Sequence, residues 1–136
     1  MCSILIVDDN DDIRFLIGRH LRTEFEVAEV NGGPAALTYL RQNELPDLIV
    51  LDVQMPQMDG WETLRAVRAD DRTTDVAVIM CTVKASPHDL ARAAELGADG
   101  YVIKPFSLTE LMQAVHGALD DDGGSRRVVV PAGASS

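Results

Sequence analysis

Short apolar runs alternate along this chain with segments whose apolar residues return every three to four positions. The runs fit buried strands and the spaced segments fit amphipathic helices. Strand one is predicted over Ser3–Val7, followed by a helix with Ile13, Leu16, Ile17 and Leu21 on one face. Strand two is read over Phe25–Val30, where Glu26 and Glu29 interrupt the apolar residues. The next helix opens at Pro34, a residue suited to a first helical turn, with Ala36, Leu37 and Leu40 inward. Strand three is Leu48–Leu51, and beyond the loop QMPQMDG lies a helix with Trp61, Leu64 and Val67. Strand four is Val76–Cys81, and Ser86-Pro87 supplies an N-cap and first turn for a helix ending near Gly97. Strand five is Gly100–Ile103, and a last helix starts after Ser107, with Glu110 three residues on as a capping-box signal.

Five strand–helix units in so short a chain imply a parallel sheet covered by helices on both faces. Strands one, three and four are near-continuous apolar runs, as central strands should be, whereas glutamate-bearing strand two and short strand five read as edges. A doubly wound five-stranded sheet in the order 2-1-3-4-5, the flavodoxin-like (βα)5 α/β fold, satisfies this and puts a switch point between strands one and three. After Leu119 the character changes: DDDGGSRRVVVPAGASS is acidic, then rich in Gly and Ser, then basic and valine-bearing. Residues 1–121 are therefore read as one domain and 122–136 as a flexible tail or linker, in which Val128–Val130 could form a strand on binding a partner.

Charge narrows the function. A net charge of −10 argues against sequence-independent nucleic-acid binding, which needs Lys and Arg to neutralise phosphates. No apolar run approaches a membrane span, and the N-terminus lacks a signal-peptide pattern. Cys2 and Cys81 show no metal-ligand or disulfide spacing and read as free thiols of a reducing cytoplasm; His20, His88 and His116 are scattered and read as side chains without a ligand role.

Ligands of such sheets sit beyond the carboxyl ends of the strands. There the chain places Asp8-Asp9, Asp52, Thr82 and Lys104-Pro105. Clustered carboxylates with few other ligands describe a hard-cation site suited to Mg²⁺. The cation would offset repulsion among Asp8, Asp9 and Asp52, and Asp52 is a potential nucleophile able to form an acyl phosphate. Mg²⁺ and Lys104 would neutralise a transferring phosphoryl group, and Thr82 could hydrogen-bond one of its oxygens.

With these residues in order, the chain resembles a response-regulator receiver domain of two-component signalling over about Ser3–Asp121. The motifs are Asp8-Asp9, LDVQMPQMDG around Asp52, Thr82, Tyr101, and KPF at Lys104–Phe106. The resemblance implies that Asp52 accepts a phosphoryl group from a sensor histidine kinase or a histidine phosphotransfer protein. It implies that Asp8 and Asp9 hold Mg²⁺, Asp9 more directly, with Asp52 and the Gln54 backbone carbonyl completing the protein ligands. Lys104 would pair with the phosphoryl group, the Lys104-Pro105 bond would be cis, and Thr82 with Tyr101 would form the switch pair. The face of helix four, strand five and helix five would then change its preference for a downstream protein partner. The protein is expected to be cytoplasmic, to catalyse only its own phosphotransfer and autodephosphorylation, and to bind neither nucleic acid nor membrane directly; a weak homodimer is compatible. Val83, after the switch threonine, departs from the small residue common there and is expected to slow phosphotransfer or hydrolysis by narrowing access. Gln54 and Lys84 flank the site and could tune the same lifetime.

The remaining loop residues read as structural. Pro56 and Gly60 shape a turn, Asp59 caps a helix instead of adding a metal ligand, and Trp61 packs at that helix's start. Three rivals stand beside this reading. An FMN carrier would want a Ser/Thr/Gly-rich phosphate loop where this chain has an acidic one. An aspartyl phosphatase would want a second Asp where Gln54 stands. A receiver-like module that binds without phosphate is the third. Either a stand-alone receiver or one excised from a longer regulator, with an effector beyond residue 136, fits the chain.

Overall fold

The computed structural model describes residues 2–83, 86–119 and 131–132. Its elements are β1 (Ser3–Val7), α1 (Asp11–Leu21), β2 (Glu26–Val30), α2 (Gly33–Gln42), β3 (Leu48–Asp52), α3 (Gly60–Ala69), β4 (Ala77–Thr82), α4 (Pro87–Leu96), β5 (Gly100–Ile103), α5 (Leu108–Leu119) and β6 (Pro131–Ala132). The strands pair in parallel in the order β2-β1-β3-β4-β5-β6, so the expected 2-1-3-4-5 arrangement stands. Strand five, expected at an edge, instead carries β6 along its outer side, with Tyr101 opposite Pro131 and Val102 opposite Ala132. The rest of the expected tail, and the Val128–Val130 run within it, lie outside the described residues.

Alternation along the strands divides the core in two. Leu5, Val7, Ile49, Leu51, Val78, Met80 and Tyr101 point to the face covered by α2, α3 and α4, where Leu40, Leu64 and Ala93 meet them. Ile4, Ile6, Leu48, Val50, Ile79 and Val102 point to the other face, against Ile17 and Leu21 of α1 and Leu111 and Val115 of α5. Strands buried on both faces carry apolar residues at every position, which is why β1, β3 and β4 read as continuous runs. Burying each large aliphatic side chain stabilises the fold by about 1.5–3 kcal/mol. One helical assignment needs correction: Leu16, placed on the inner face of α1, is 55% exposed beside Phe15 at 60%. Ile17 and Leu21 already fill the strip facing the sheet, and a residue next to Ile17 in sequence lies about 100° round the helix from it.

Caps place the helix starts near the rim. Asn10 accepts the Ile13 N–H at 3.0 Å, and Asp59 accepts the Glu62 N–H at 2.9 Å while Glu62 Oε1 accepts the Asp59 N–H at 3.2 Å. Asp59 is thus an N-cap, as expected. Ser86 accepts from the Asp89 N–H and Ser107 from the Glu110 N–H. Gly97 ends α4 with φ 86°, a left-handed conformation that favours glycine.

Candidate functional site

Strand register brings the rim residues into line. Val7 lies opposite Leu51, so the next positions are Asp8 and Asp52; Asp52 pairs with Cys81, just before Thr82; and Thr82 pairs with Ile103, just before Lys104. Four separated sequence segments therefore meet at one end of the sheet. Asp8, Asp9 and Asp52 each offer a carboxylate oxygen, all within 4.8 Å of one another. Asp8 and Asp52 are 3% and 5% exposed, and Asp9 is exposed.

Each member is held by its neighbours. Asp8 Oδ1 accepts the Asn10 N–H at 2.9 Å, and its carbonyl accepts Arg14 Nη1 at 2.7 Å. Lys104 Nζ donates to Asp52 Oδ1 at 3.1 Å and lies 3.5 Å from Asp8 Oδ2. The Lys104 N–H donates to the Thr82 carbonyl at 2.7 Å, and the Lys104-Pro105 peptide is cis, as the resemblance implied. Gly60 permits the close turn behind Asp52: a Cβ there would lie 2.4 Å from the Asp52 carbonyl oxygen.

The electrostatics are those of crowded, largely buried carboxylates beside one ammonium. Burial raises the Asp52 pKa, the Asp8 charge raises it further, and Lys104 and the Gln54 N–H pull it back. Burial would lower the Lys104 pKa, but Asp52 and Asp8 outweigh it and the net shift is upward. Three carboxylates against one ammonium leave a local excess of two negative charges. An all-oxygen donor set with such an excess fits a hard divalent cation.

Thr82 and Tyr101 form the second layer. Tyr101 is fully buried and hydrogen-bonds Thr82; burial and the Asp89 charge push its phenol up to about 12. Its ring stacks on Trp61 at 6.5 Å, and the Arg92 guanidinium sits 4.7 Å above the Trp61 ring. Trp61 therefore packs as expected, but also joins α3 to α4 and β5. A cleft of about 540 Å³ opens here, lined by Gln54, Asp59, Trp61, Thr82, Asp89 and Arg92. Val83, the residue after Thr82, is 54% exposed, and Lys84 lies outside the described residues. Cys81 is buried, its thiol pushed up to about 12 by burial, and Cys2 is exposed and free.

Sequence reasoning missed Arg14, which donates to the Asp8 carbonyl, and the role of Glu29, which pairs with Arg14. An Asp-x-x-Arg pair, Asp11 and Arg14, was the available signal on α1.

Comparison with known proteins agrees with this geometry. The family described as the response regulator receiver domain matches residues 4–116. The transcriptional regulatory protein PrrA of Mycobacterium tuberculosis is 41% identical over 117 residues, 85% of this chain and 49% of that protein. A Vibrio cholerae protein named "Probable cyclic di-GMP phosphodiesterase" is 36% identical over 115 residues, 85% of this chain and 26% of that protein. The chain thus spans half or less of these relatives. The solved structure of Vibrio cholerae chemotaxis response regulator CheY4 is similar with a TM-score of 0.82 and 31% identity, covering 88% of this chain and 99% of that one.

Proposed function

The chain belongs to the response regulator receiver domain family, and from that premise we propose that it accepts a phosphoryl group on Asp52 from a phosphorylated histidine of a partner kinase or phosphotransfer protein. The observation that carries this is the grouping of Asp8, Asp9 and Asp52 within 4.8 Å beside Lys104. Asp9 and Asp52, with Asp8 and the Gln54 backbone carbonyl, would hold Mg²⁺. The ion, when bound, would neutralise charge on the transferring group. Asp52 Oδ attacks phosphorus, the P–N bond to the donor imidazole breaks, and the departing nitrogen keeps the electron pair and takes up a proton. Lys104 then follows the charge from the carboxylate to the new phosphoryl oxygens, and the Thr82 hydroxyl donates to one of them. Tyr101 packs behind Thr82, so this local change reaches the α4–β5–α5 face, where a protein partner reads it. Val83, the residue after Thr82, narrows access and slows phosphotransfer or hydrolysis. No helix among the described residues is long and apolar enough to cross a membrane. The named relatives carry different activities in longer chains, so the output read from this receiver is either a separate protein partner or an effector domain of a longer regulator.

Incubation with Mg²⁺ and acetyl phosphate, or with a phosphorylated kinase, should add the mass of one phosphoryl group, and Asp52→Ala should abolish the gain. No gain from either donor would overturn the proposal.

A further inference from the structure

Asp9 is exposed, so packing does not set where its carboxylate points. It follows the Asp8–Asp9 peptide, whose carbonyl oxygen accepts the 2.7 Å bond from Arg14. A peptide group is planar and rigid, so fixing that carbonyl fixes the direction from which Asp9 projects. Arg14 is itself held. Its Nη2 donates to Asp11 Oδ1 at 2.5 Å, and its Nε lies 3.4 Å from Glu29 Oε1. Glu29 also pairs with Arg22 at 2.8 Å, and Gly18 keeps the space clear, since a Cβ there would lie 2.7 Å from Glu29 Oε2.

We infer that Arg14 is a positioning residue for the cation site: anchored on Glu29, it holds the Asp8–Asp9 peptide so that Asp9 faces Asp8 and Asp52. This rests on the cation reading above. Arg14 has two effects of opposite sign. Its positive charge repels a divalent cation, while its fork orients a ligand. If only charge mattered, neutralising Arg14 would tighten Mg²⁺ binding; if orientation dominates, it weakens it.

Calorimetric Mg²⁺ titration of the full chain separates these. Arg14→Gln should weaken affinity about tenfold, in the range known for groups that orient metal ligands. Arg14→Lys keeps the charge but loses the fork, and should weaken it as well. Arg22→Gln removes the other Glu29 partner without touching Asp8, and should leave affinity unchanged. Melting in chelator shows whether Arg14→Gln and Arg22→Gln perturb the fold alike. Unchanged or tighter Mg²⁺ binding in Arg14→Gln overturns the inference. Should that variant not fold, Glu29→Gln is expected to weaken affinity by a smaller factor, and no change there overturns it equally. Absence of Mg²⁺ binding by the parent chain would instead bring down the cation reading itself.

Discussion

At the scale of residues, Asp52 sits where folding and function disagree. Burial and the Asp8 charge favour its neutral form, and only Lys104 and the Gln54 N–H oppose them. A carboxyl whose pKa is raised on folding contributes stability below its ordinary value of 3.8 and loses it as pH rises through the raised value. In chelator, Asp52→Asn should therefore melt above the parent at neutral pH, with the gap closing as pH falls toward that ordinary value. A gap of the same size at every pH would refute this. The meeting of Asp8, Asp9, Asp52, Thr82 and Lys104 at one rim was legible in the sequence because each lies at or just beyond the carboxyl end of a strand, while Tyr101 was singled out through the family resemblance. Arg14 was not, because it acts through a backbone carbonyl, and any residue type can supply one of those.

At the scale of elements, the rim is only as well placed as the loops at the far end of the sheet. Arg68, on α3, donates to the carbonyls of Gly97, Thr74 and Val76 and pairs with Asp99 at 3.0 Å. Asp99 in turn accepts the Val78 N–H at 2.9 Å. One side chain thus ties the end of α3 to the starts of β4 and β5, the strands that carry Thr82 and Tyr101. Arg68 and Asp99 are 13% and 4% exposed, so removing the arginine takes an ion-pair partner from a buried carboxylate. Arg68→Ala should cost about 3–5 kcal/mol, the range for breaking a buried pair, measured by urea unfolding; a cost under about 1 kcal/mol would match a surface pair instead. Strand periods, apolar spacing and caps placed β1 and β5 as found and most other boundaries to within a residue or so. The pairing of Pro131–Ala132 on β5 gave no such signal, because two residues are too few to show a period.

At the scale of the whole molecule, the acidic balance is unevenly used. The chain carries a net charge of −10, yet the carboxylates fall into groups with different work. Asp8, Asp9 and Asp52 crowd together, while Asp11 and Asp12 lie exposed in the first turn of α1. Negative charge there favours the helix dipole and contributes only about 0.3–1 kcal/mol. A ligand that binds only the folded chain raises its stability by an amount set by concentration over Kd, about 2.7 kcal/mol at one hundred times Kd. The melting temperature should therefore climb with Mg²⁺ for the parent chain and stay flat for Asp9→Ala. Asp12→Ala should start slightly lower and climb as the parent does, because it lost a helix-end charge and no ligand. Equal loss of the Mg²⁺ response in both variants would mean that the acidic surface as a whole attracts the ion. Matching the ionic strength with NaCl sharpens the comparison: a general field is screened over about 10 Å at 0.1 M, whereas direct coordination by clustered carboxylates persists, so the parent's response should survive added salt.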